Sequence, residues 1–178
     1  MAKGLMHYIR EFWKKPSPEL LRKRMIEWRK SNAIVKLDRP LRLDRARELG
    51  YRAKPGFIIA RVRVKRGGRR GPVKNAGRRS KRKTNLKILK MNYKGVAEQR
   101  AARKFKNLEV LNSYWIGQDG IYAFYEVILV NPHHPQIKSD KKINWICSTA
   151  NKGRAFRGLT SAGKKSRGLR AFGRRRQF

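Results

Sequence analysis

Acidic residues are scarce in this chain, most completely in its middle. Between Glu48 and Glu98, forty-nine consecutive residues carry no carboxylate, while seventeen of them are Lys or Arg. The whole chain of 178 residues has 11 Asp and Glu against 48 Lys and Arg, a formal net charge of +37. A small soluble domain usually carries a net charge of roughly 2 to 8 in magnitude. Because like charges at this density repel one another, the sequence predicts a polyanionic partner, and nucleic acid is the obvious one.

Cysteine and long apolar runs are nearly absent as well. Cys147 is the only cysteine, so we expect neither an intrachain disulfide nor a zinc site built from thiolates. No apolar run approaches the ~20 residues of a membrane span, and residues 1–10 lack the apolar stretch of a secretory signal. The cations lie mostly in Gly-rich, non-periodic segments, which argues against an amphipathic membrane-surface helix. We therefore expect a cytoplasmic protein without a membrane partner.

Hydrophobic residues are numerous enough for one core. They make up 39% of the chain and include 4 Trp, 6 Tyr and 7 Phe. The aromatic residues cluster in the N-terminal third and between Tyr93 and Trp145. This distribution predicts one folded body over residues 1–150, followed by an extended basic arm over residues 151–178.

The first fifty residues predict three helices. Apolar residues recur with helical spacing over residues 5–13. Ser17-Pro18-Glu19 has the features of a second helix start, namely a hydroxyl cap, a proline and an acid. A short helix over residues 44–49 would end at Gly50, which suits a left-handed cap. Residues 36–42 are expected to form a connector.

The clearest predicted strand covers residues 58–65. Ile58, Ala60, Val62 and Val64 alternate with Ile59, Arg61, Arg63 and Lys65. Because alternate residues of a strand face opposite ways, one face is expected in the core and the other presents cations. A half-exposed strand normally mixes charges of both signs on its polar face, so a purely positive face favours a functional use.

Residues 66–85 form a long basic segment. They include nine Lys or Arg, four glycines and no large apolar side chain except Val73. Such a segment cannot bury enough apolar surface to offset its ordering entropy. We predict a loop that is disordered alone and becomes ordered on nucleic acid.

The region after this loop predicts a helix and a β-hairpin. The helix covers residues 96–104, and two strand-like runs cover residues 108–116 and 121–130, joined by Gly117-Gln118-Asp119-Gly120. Both faces of the second run are apolar, which predicts a central strand. The hairpin aromatics are expected mainly in the core, with base stacking as the alternative. Residues 143–147 are expected to add a short strand or to pack as a flap.

The basic arm contains ten Lys or Arg and no acid from residue 151 onward, with a glycine at every fifth position from 153 to 173. Regular helix is not expected there, because glycine disfavours it. One motif in the arm is misleading. Residues 158–164, GLTSAGK, match a phosphate-binding loop, but Lys165 occupies the position at which a magnesium-binding Ser or Thr is required. Without a preceding buried strand, nucleotide hydrolysis is not expected.

No catalytic or metal-binding constellation stands out. The adjacent His133 and His134 lie between two prolines and are poorly placed to chelate one ion. The few acids show no revealing spacing, and we find no Ser/His/Asp or Cys/His arrangement. The sequence therefore predicts no enzyme, no cofactor and no small-molecule substrate.

Four stretches carry a resemblance to a known family. They are YIREFWKK at 8–15, RPLRLDRARELGYRAKPGFIIARVRVKRGGRRGP at 39–72, VAEQRAARKFKNLEVLNSYWIGQDGIYAFYEVILVNPHHP at 96–135 and RGLTSAGKKSRGL at 157–169. Together they resemble ribosomal protein fifteen of the archaeal and eukaryotic large subunit, over well over half of the chain. The eukaryotic members continue into a longer basic tail, so the end at Phe178 resembles the archaeal members.

The resemblance implies an α+β domain with a small, mainly antiparallel sheet, packed helices, and extensions embedded in large-subunit ribosomal RNA. It implies a structural, non-catalytic constituent of the large subunit, with ribosomal RNA and neighbouring ribosomal proteins as partners. Strand, loop and tail cations are then expected to contact RNA. These are Arg61, Arg63, Lys65, Arg66, Arg69, Arg70, Lys74, Arg78, Arg79, Lys81, Arg82, Lys83, Arg154, Arg157, Lys164, Lys165, Arg167 and Arg170.

Two other functions remain open from composition alone. A chromatin-like, DNA-compacting protein would also use basic arms, but it should bind DNA and structured ribosomal RNA about equally. An RNA-modifying enzyme would need a substrate pocket and catalytic side chains, for which the sequence offers no candidates.

Overall fold

The chain forms an α+β fold around one four-stranded antiparallel sheet, as predicted. The computed structural model describes residues 3–70, 77, 86, 87 and 89–170. In chain order the elements are α1 (Leu5–Lys14), α2 (Pro18–Lys30), β1 (Ile34–Leu37), α3 (Leu43–Glu48), β2 (Phe57–Lys65), β3 (Arg69–Arg70), β4 (Leu86–Lys87), α4 (Tyr93–Lys104), β5 (Glu109–Gln118), β6 (Tyr122–Val130), α5 (Pro135–Lys138) and α6 (Ser161–Ser166). Two short 3-10 helices, Asn144–Cys147 and Thr149–Asn151, lie between α5 and α6.

The sheet has the order β1-β2-β6-β5, and β3 pairs with β4 in a separate two-stranded ribbon. The predicted hairpin is confirmed, since β5 and β6 pair antiparallel. Strand β6 lies between β2 and β5, and all of its residues after Tyr122 are buried. This confirms the central strand that its two apolar faces predicted. The predicted turn is shifted, because Gly117 and Gln118 still pair with β6.

Helices cover both faces of the sheet. On one face, α4 packs Ala97 and Ala101 against Val62 and Val127. On the other face, Trp28 of α2 joins a cluster with buried residues of α3, β2, β5 and β6. The alternation along β2 therefore does not separate a core face from an open face, because each side of this strand is packed against a helix.

Two short segments differ from the sequence predictions. Residues 34–37 form the edge strand β1 rather than the start of a connector, and Ile34 lies opposite Val62. Four residues contain too little alternation to reveal a strand, and pairing with β2 decides the conformation. The alternative of a strand at residues 143–147 is wrong, because these residues include a 3-10 helix. Its three-residue repeat turns Ile143 and Ile146 toward the same buried cluster.

Helix α1 follows its predicted helical spacing but buries little of its apolar side. Trp13 is 7% exposed, whereas Leu5 is 68% exposed, and Tyr8 and Phe12 are also exposed. Trp13 lies near two guanidinium groups, since those of Arg24 and Arg42 are 5.8 and 5.0 Å from its ring centroid. The helix is therefore attached to the body mainly through its C-terminal half.

Residues 151–170 differ from the predicted extended arm, because they fold against the body. Ala155 and Ala162 are buried, and α6 forms despite its glycine. A Cβ on Gly163 would lie 2.5 Å from the Cα of Gly158. The two glycines thus allow the helix to approach the preceding loop closely, and this contact gives one repeat of the five-residue glycine spacing a structural role.

Candidate nucleic-acid interface

A buried carboxylate attaches the C-terminal segment to the body. Glu98 of α4 is fully buried and accepts hydrogen bonds of 2.5 Å each from the hydroxyls of Ser113 and Thr160. Thr160 also caps α6, since its Oγ1 accepts from the Gly163 amide at 3.1 Å. Burial raises the pKa of Glu98, although the two hydroxyls oppose that shift. This bond between residues 98 and 160 is a reason why the segment does not extend into solvent.

Arg154 is the second attachment of the same segment. Sequence reasoning counted it among the RNA-contacting cations, but the structure places it inside, with 8% exposure. Its Nη1 donates to the carbonyls of Val110 and Leu111 at 2.7 and 2.8 Å, and its guanidinium lies 4.9 Å from the Trp145 ring centroid. These carbonyls are accessible because the β5–β6 register shifts between Val110 and Asn112. The guanidinium therefore completes a β-bulge.

The base of the long basic loop meets α6 at one place. Asn92, the cap of α4, donates from Nδ2 to the carbonyl of Ala162 at 3.0 Å, and its amide donates to the Ser166 hydroxyl at 3.3 Å. One residue later, the Tyr93 hydroxyl accepts from the Gly67 amide at 2.8 Å. Residues 92 and 93 thus connect the start of the long basic loop, at Gly67, with α6, which lies about a hundred positions later in the sequence.

The cations around this junction lack carboxylate partners. Eight cations near the junction form no ion pair with any described side chain. We call them the junction cations: Lys65, Arg66, Lys90, Lys94, Lys164, Lys165, Arg167 and Arg170. The four in α6 and just after it are exposed. Burial lowers the pKa of Lys94, and nearby cations including Arg170 and Lys165 lower it further, against the opposing effect of Glu98. The junction is therefore a site of uncompensated positive charge.

The arginines of β2 have different surroundings. Arg61 donates to the Ser31 hydroxyl at 3.0 Å, with its guanidinium 5.3 Å from the Trp28 ring centroid. Arg63 donates to the carbonyl of Arg29 and lies 4.8 Å from the Tyr122 ring centroid. Both are half-buried beneath α2, whereas Lys65 at the strand end is exposed. The predicted row of cations thus contains two arginines bound to the body and one open lysine.

A second buried carboxylate lies next to Arg61. Glu126 pairs with Arg61 in the β2–β6 register and accepts hydrogen bonds from the Tyr114 hydroxyl and from the Leu41 amide, the latter at 3.2 Å. Burial raises the pKa of Glu126 despite these bonds. The interaction joins the connector after β1 to the sheet, so Glu126 belongs to the core.

Comparison with known proteins identifies the family. The model of the Ribosomal L15 family matches residues 4–177. The chain is 54% identical over 180 residues to the large ribosomal subunit protein eL15 of Methanocella arvoryzae, and the match covers 98% of this chain and 91% of that protein. The chain belongs to the Ribosomal L15 family.

Membership confirms the family resemblance that the sequence carried. It makes the chain a ribosomal protein with a structural, non-catalytic role, and its expected location in the large subunit of the cytoplasmic ribosome follows from the same match. The alternative of a DNA-compacting protein receives no support from these relatives. Within the described residues, no helix is both long and apolar enough to cross a membrane.

The structure around residues 158–164 explains why this segment matches a phosphate-binding loop in sequence only. No buried strand leads into the GLTSAGK segment, because residues 152–157 precede it in turns. Its Thr160 and Gly163 serve the capping and close packing described above. His134 likewise has a local task, since its ring nitrogen accepts from the Gln136 amide at 3.3 Å at the start of α5. In the part of the chain that is described, no cluster of three or more His, Cys, Asp or Glu is arranged for a metal ion.

Several predicted contact residues lie outside the described residues, namely Lys74, Arg78, Arg79, Lys81, Arg82 and Lys83. The backbones of Arg69 and Arg70 form β3 of the ribbon. Of the remaining predicted residues, Arg157 lies on the surface and donates to the carbonyls of Ala150 and Lys152. The disorder predicted for residues 66–85 in the absence of RNA stays a prediction.

Sequence reasoning missed two members of the junction. Lys90 and Lys94 belong to the same acid-free stretch as the predicted cations, but they lie beyond the Gly-rich loop and at the start of a helix. The signal that could have found them is the Asn92 cap between them, because an Asx residue before a helix marks a fixed point of the backbone. Among the hairpin aromatics, Tyr114, Phe124 and Tyr125 are buried, and Trp115 is 39% exposed.

Proposed function

We propose that this protein binds large-subunit ribosomal RNA through the junction cations and joins separate RNA segments. The supporting observation is that the loop base and α6, distant in sequence, are held together by Asn92 and Tyr93. Among the described residues, no carboxylate pairs with the junction cations around them. Lysines and arginines in this state exchange condensed counterions for phosphates, and the released counterions drive association. Neighbouring ribosomal proteins are the other proposed partners.

In the proposed mechanism the folded body provides support and the surface cations bind the RNA. The sheet, with α4 and α6 fixed by Glu98 and Arg154, provides a rigid support. The exposed side chains at the junction meet phosphates, and the long basic loop begins and ends close to them. Since the deep groove of an A-form helix is closed to side chains, recognition rests on backbone shape, 2′-hydroxyls and unpaired nucleotides.

Arg61 and Arg63 are proposed to serve mainly the body. Their guanidinium groups already have aromatic and hydrogen-bonding partners. A phosphate contact would compete with these interactions, whereas Lys65 has no such competitor among the described contacts. This refines the expectation that all three side chains of the strand contact RNA.

Sedimentation of a native lysate tests the proposal. The chain is tracked through a sucrose gradient at salt concentrations that remove loosely bound basic proteins. Persistent migration with the large ribosomal subunit is the expected result, because many phosphate contacts and a folded body act together. Release to the top of the gradient, or migration with DNA, would contradict the proposal.

A further inference from the structure

A small cavity lies between α4 and the C-terminal segment, beside the junction cations. Its volume is about 210 Å³, below the ~300 Å³ at which pockets for drug-sized ligands begin. It has room for one planar ring system and not for a base pair. The walls come from α4, from residues 155–158 and from α6.

Part of the cavity lining is apolar. Gly95 of α4 has no side chain, and Met91 covers it, since a Cβ on Gly95 would lie 3.1 Å from the Met91 Cγ. Ala155 forms another wall. The Phe156 side chain lines the cavity and is 46% exposed. The Arg103 guanidinium lies 5.8 Å from its ring centroid, so a planar group would stack on the part of the ring that Arg103 leaves exposed.

Among the polar side chains of the lining, Gln99 is the one that carries a carboxamide. Gln99 of α4 lines the cavity, and its amide nitrogen donates to the Ala155 carbonyl at 3.5 Å, the outer limit of a hydrogen bond. The amide retains a second N–H and its oxygen. A carboxamide offers a donor and an acceptor side by side, the pairing that matches the edge of a nucleobase.

The charge of the lining indicates an anionic ligand. Lys90, Arg157 and Arg167 contribute to it, and no acidic residue does. Cations around an aromatic and amide-bearing cavity suit a nucleotide, whose base enters while its phosphate remains at the positive rim.

We propose that this cavity receives one extruded nucleobase of the bound RNA, stacked on Phe156 and hydrogen-bonded by Gln99. The inference rests on the proposed function and adds a base-specific contact to it. Unpaired bases that are turned out of a helix are the parts of RNA that proteins read by stacking and by their edges. The junction cations would hold the RNA backbone, and the cavity would fix the register of that backbone on the protein.

The test uses the full chain, bound to complete large-subunit ribosomal RNA, in the wild type and in Gln99→Leu and Phe156→Ala. Ultraviolet cross-linking with mass spectrometry identifies any nucleotide attached at Met91 or Phe156, and chemical probing reports the reactivity of each base edge. Gln136→Leu, the same substitution at an exposed position of α5, is the matched control. Thermal unfolding of every variant checks that the fold is intact.

We expect a single cross-linked nucleotide whose base edge is protected by the wild type and by Gln136→Leu. Gln99→Leu should restore the reactivity of that nucleotide alone. Phe156→Ala should weaken RNA affinity about tenfold with an unchanged salt slope, because this variant removes base stacking and no cation.

RNA binding of normal strength with no single protected nucleotide would overturn the base pocket and leave the proposed function intact. A cross-link through ribose only, unaffected by Gln99→Leu, would do the same and would make the cavity a backbone contact. Failure of the wild type to bind ribosomal RNA would overturn both proposals.

Discussion

The face of β2 that lies beneath α2 and the surface around α6 are equally basic in sequence, yet their cations have different surroundings and different roles. Beneath α2, Arg61 and Arg63 are half-buried, stacked near aromatic rings and hydrogen-bonded to Ser31 and to the Arg29 carbonyl. At α6, Lys164, Lys165 and Arg167 are exposed, and no carboxylate among the described residues pairs with them. The same residue types thus stabilise the body in one region and remain available for phosphates in the other.

This difference shows how a chain of such high charge can contain a folded body. An arginine whose donors reach carbonyl oxygens and whose face lies against an aromatic ring needs no carboxylate partner. Lysine, a compact and strongly hydrated charge, stays at the surface. The body therefore uses part of its positive charge as internal hydrogen-bond donors, and the remaining positive charge makes up the interface that we propose.

The largest expected effect concerns an inward arginine. Arg154→Ala should lower the free energy of unfolding by about 3 kcal/mol, because two buried carbonyls are deprived of charge-assisted hydrogen bonds. Urea unfolding of the free protein measures this change. Arg157→Ala, an exposed arginine of the same segment, is the matched control and should cost less than about 1 kcal/mol. Equal destabilisation of the two variants would remove the distinction between inward and outward cations.

The next effect concerns the outward cations and appears in binding. Lys164→Gln, Lys165→Gln and Arg167→Gln combined should weaken affinity for large-subunit ribosomal RNA by roughly a hundredfold at physiological salt, because about three phosphates are no longer neutralised by the protein. Filter binding measures the affinity, and thermal unfolding should be unchanged. A variant that binds normally would show that α6 does not face the RNA.

A smaller change in stability is expected beneath α2. Arg61→Gln combined with Arg63→Gln should lower the free energy of unfolding by about 2 kcal/mol, since each substitution removes one hydrogen bond and one cation–π interaction. Lys65→Gln, at the exposed end of the same strand, should leave stability unchanged. If the double variant unfolded at the same urea concentration as the wild type, Arg61 and Arg63 would not stabilise the body, and their side chains would be available to bind RNA.

The smallest effect is a pH dependence. Burial raises the pKa of Glu98 in the folded state, so its protonation stabilises the fold fully below the unfolded pKa of about 4.3. This contribution is lost as the pH rises through the folded pKa. Glu98→Gln should therefore gain stability relative to the wild type from pH 4 toward pH 7.

Urea unfolding at several pH values measures this difference. Glu19→Gln, at an exposed position in the first turn of α2, is the control. Glu126, whose pKa is also raised by burial, should retain part of the pH dependence in the Glu98 variant. Parallel curves for the wild type and Glu98→Gln would contradict the raised pKa.

The hairpin could be predicted from sequence because its information is local. Alternation and β-branched residues mark β6, and its two apolar faces indicate a central strand. Gly50, at the end of α3, has the left-handed φ of 97° that its position predicted. These features depend on neighbouring residues only, and the structure contains them within a few positions of the predicted bounds.

The candidate site was less predictable because its information is nonlocal. Arg154 and Arg157 occupy similar Gly-rich surroundings in sequence, and only the register shift in β5 makes one of them internal. The fold of residues 151–170 depends on Glu98, more than fifty positions away. Composition measures how many cations are present, whereas burial and partners decide which of them can reach a phosphate.

The salt dependence of ribosomal RNA affinity tests most directly whether the cations of α6 bind phosphates while the arginines of β2 stabilise the body. The wild type, the triple variant at α6 and the Arg61/Arg63 double variant would be measured between 50 and 200 mM salt, a range over which phosphate interactions change affinity by orders of magnitude. The α6 variant should have a slope smaller by roughly 1 for each phosphate that it no longer binds, and the β2 variant should keep the slope of the wild type. An unchanged slope for the α6 variant together with a reduced slope for the β2 variant would contradict the account.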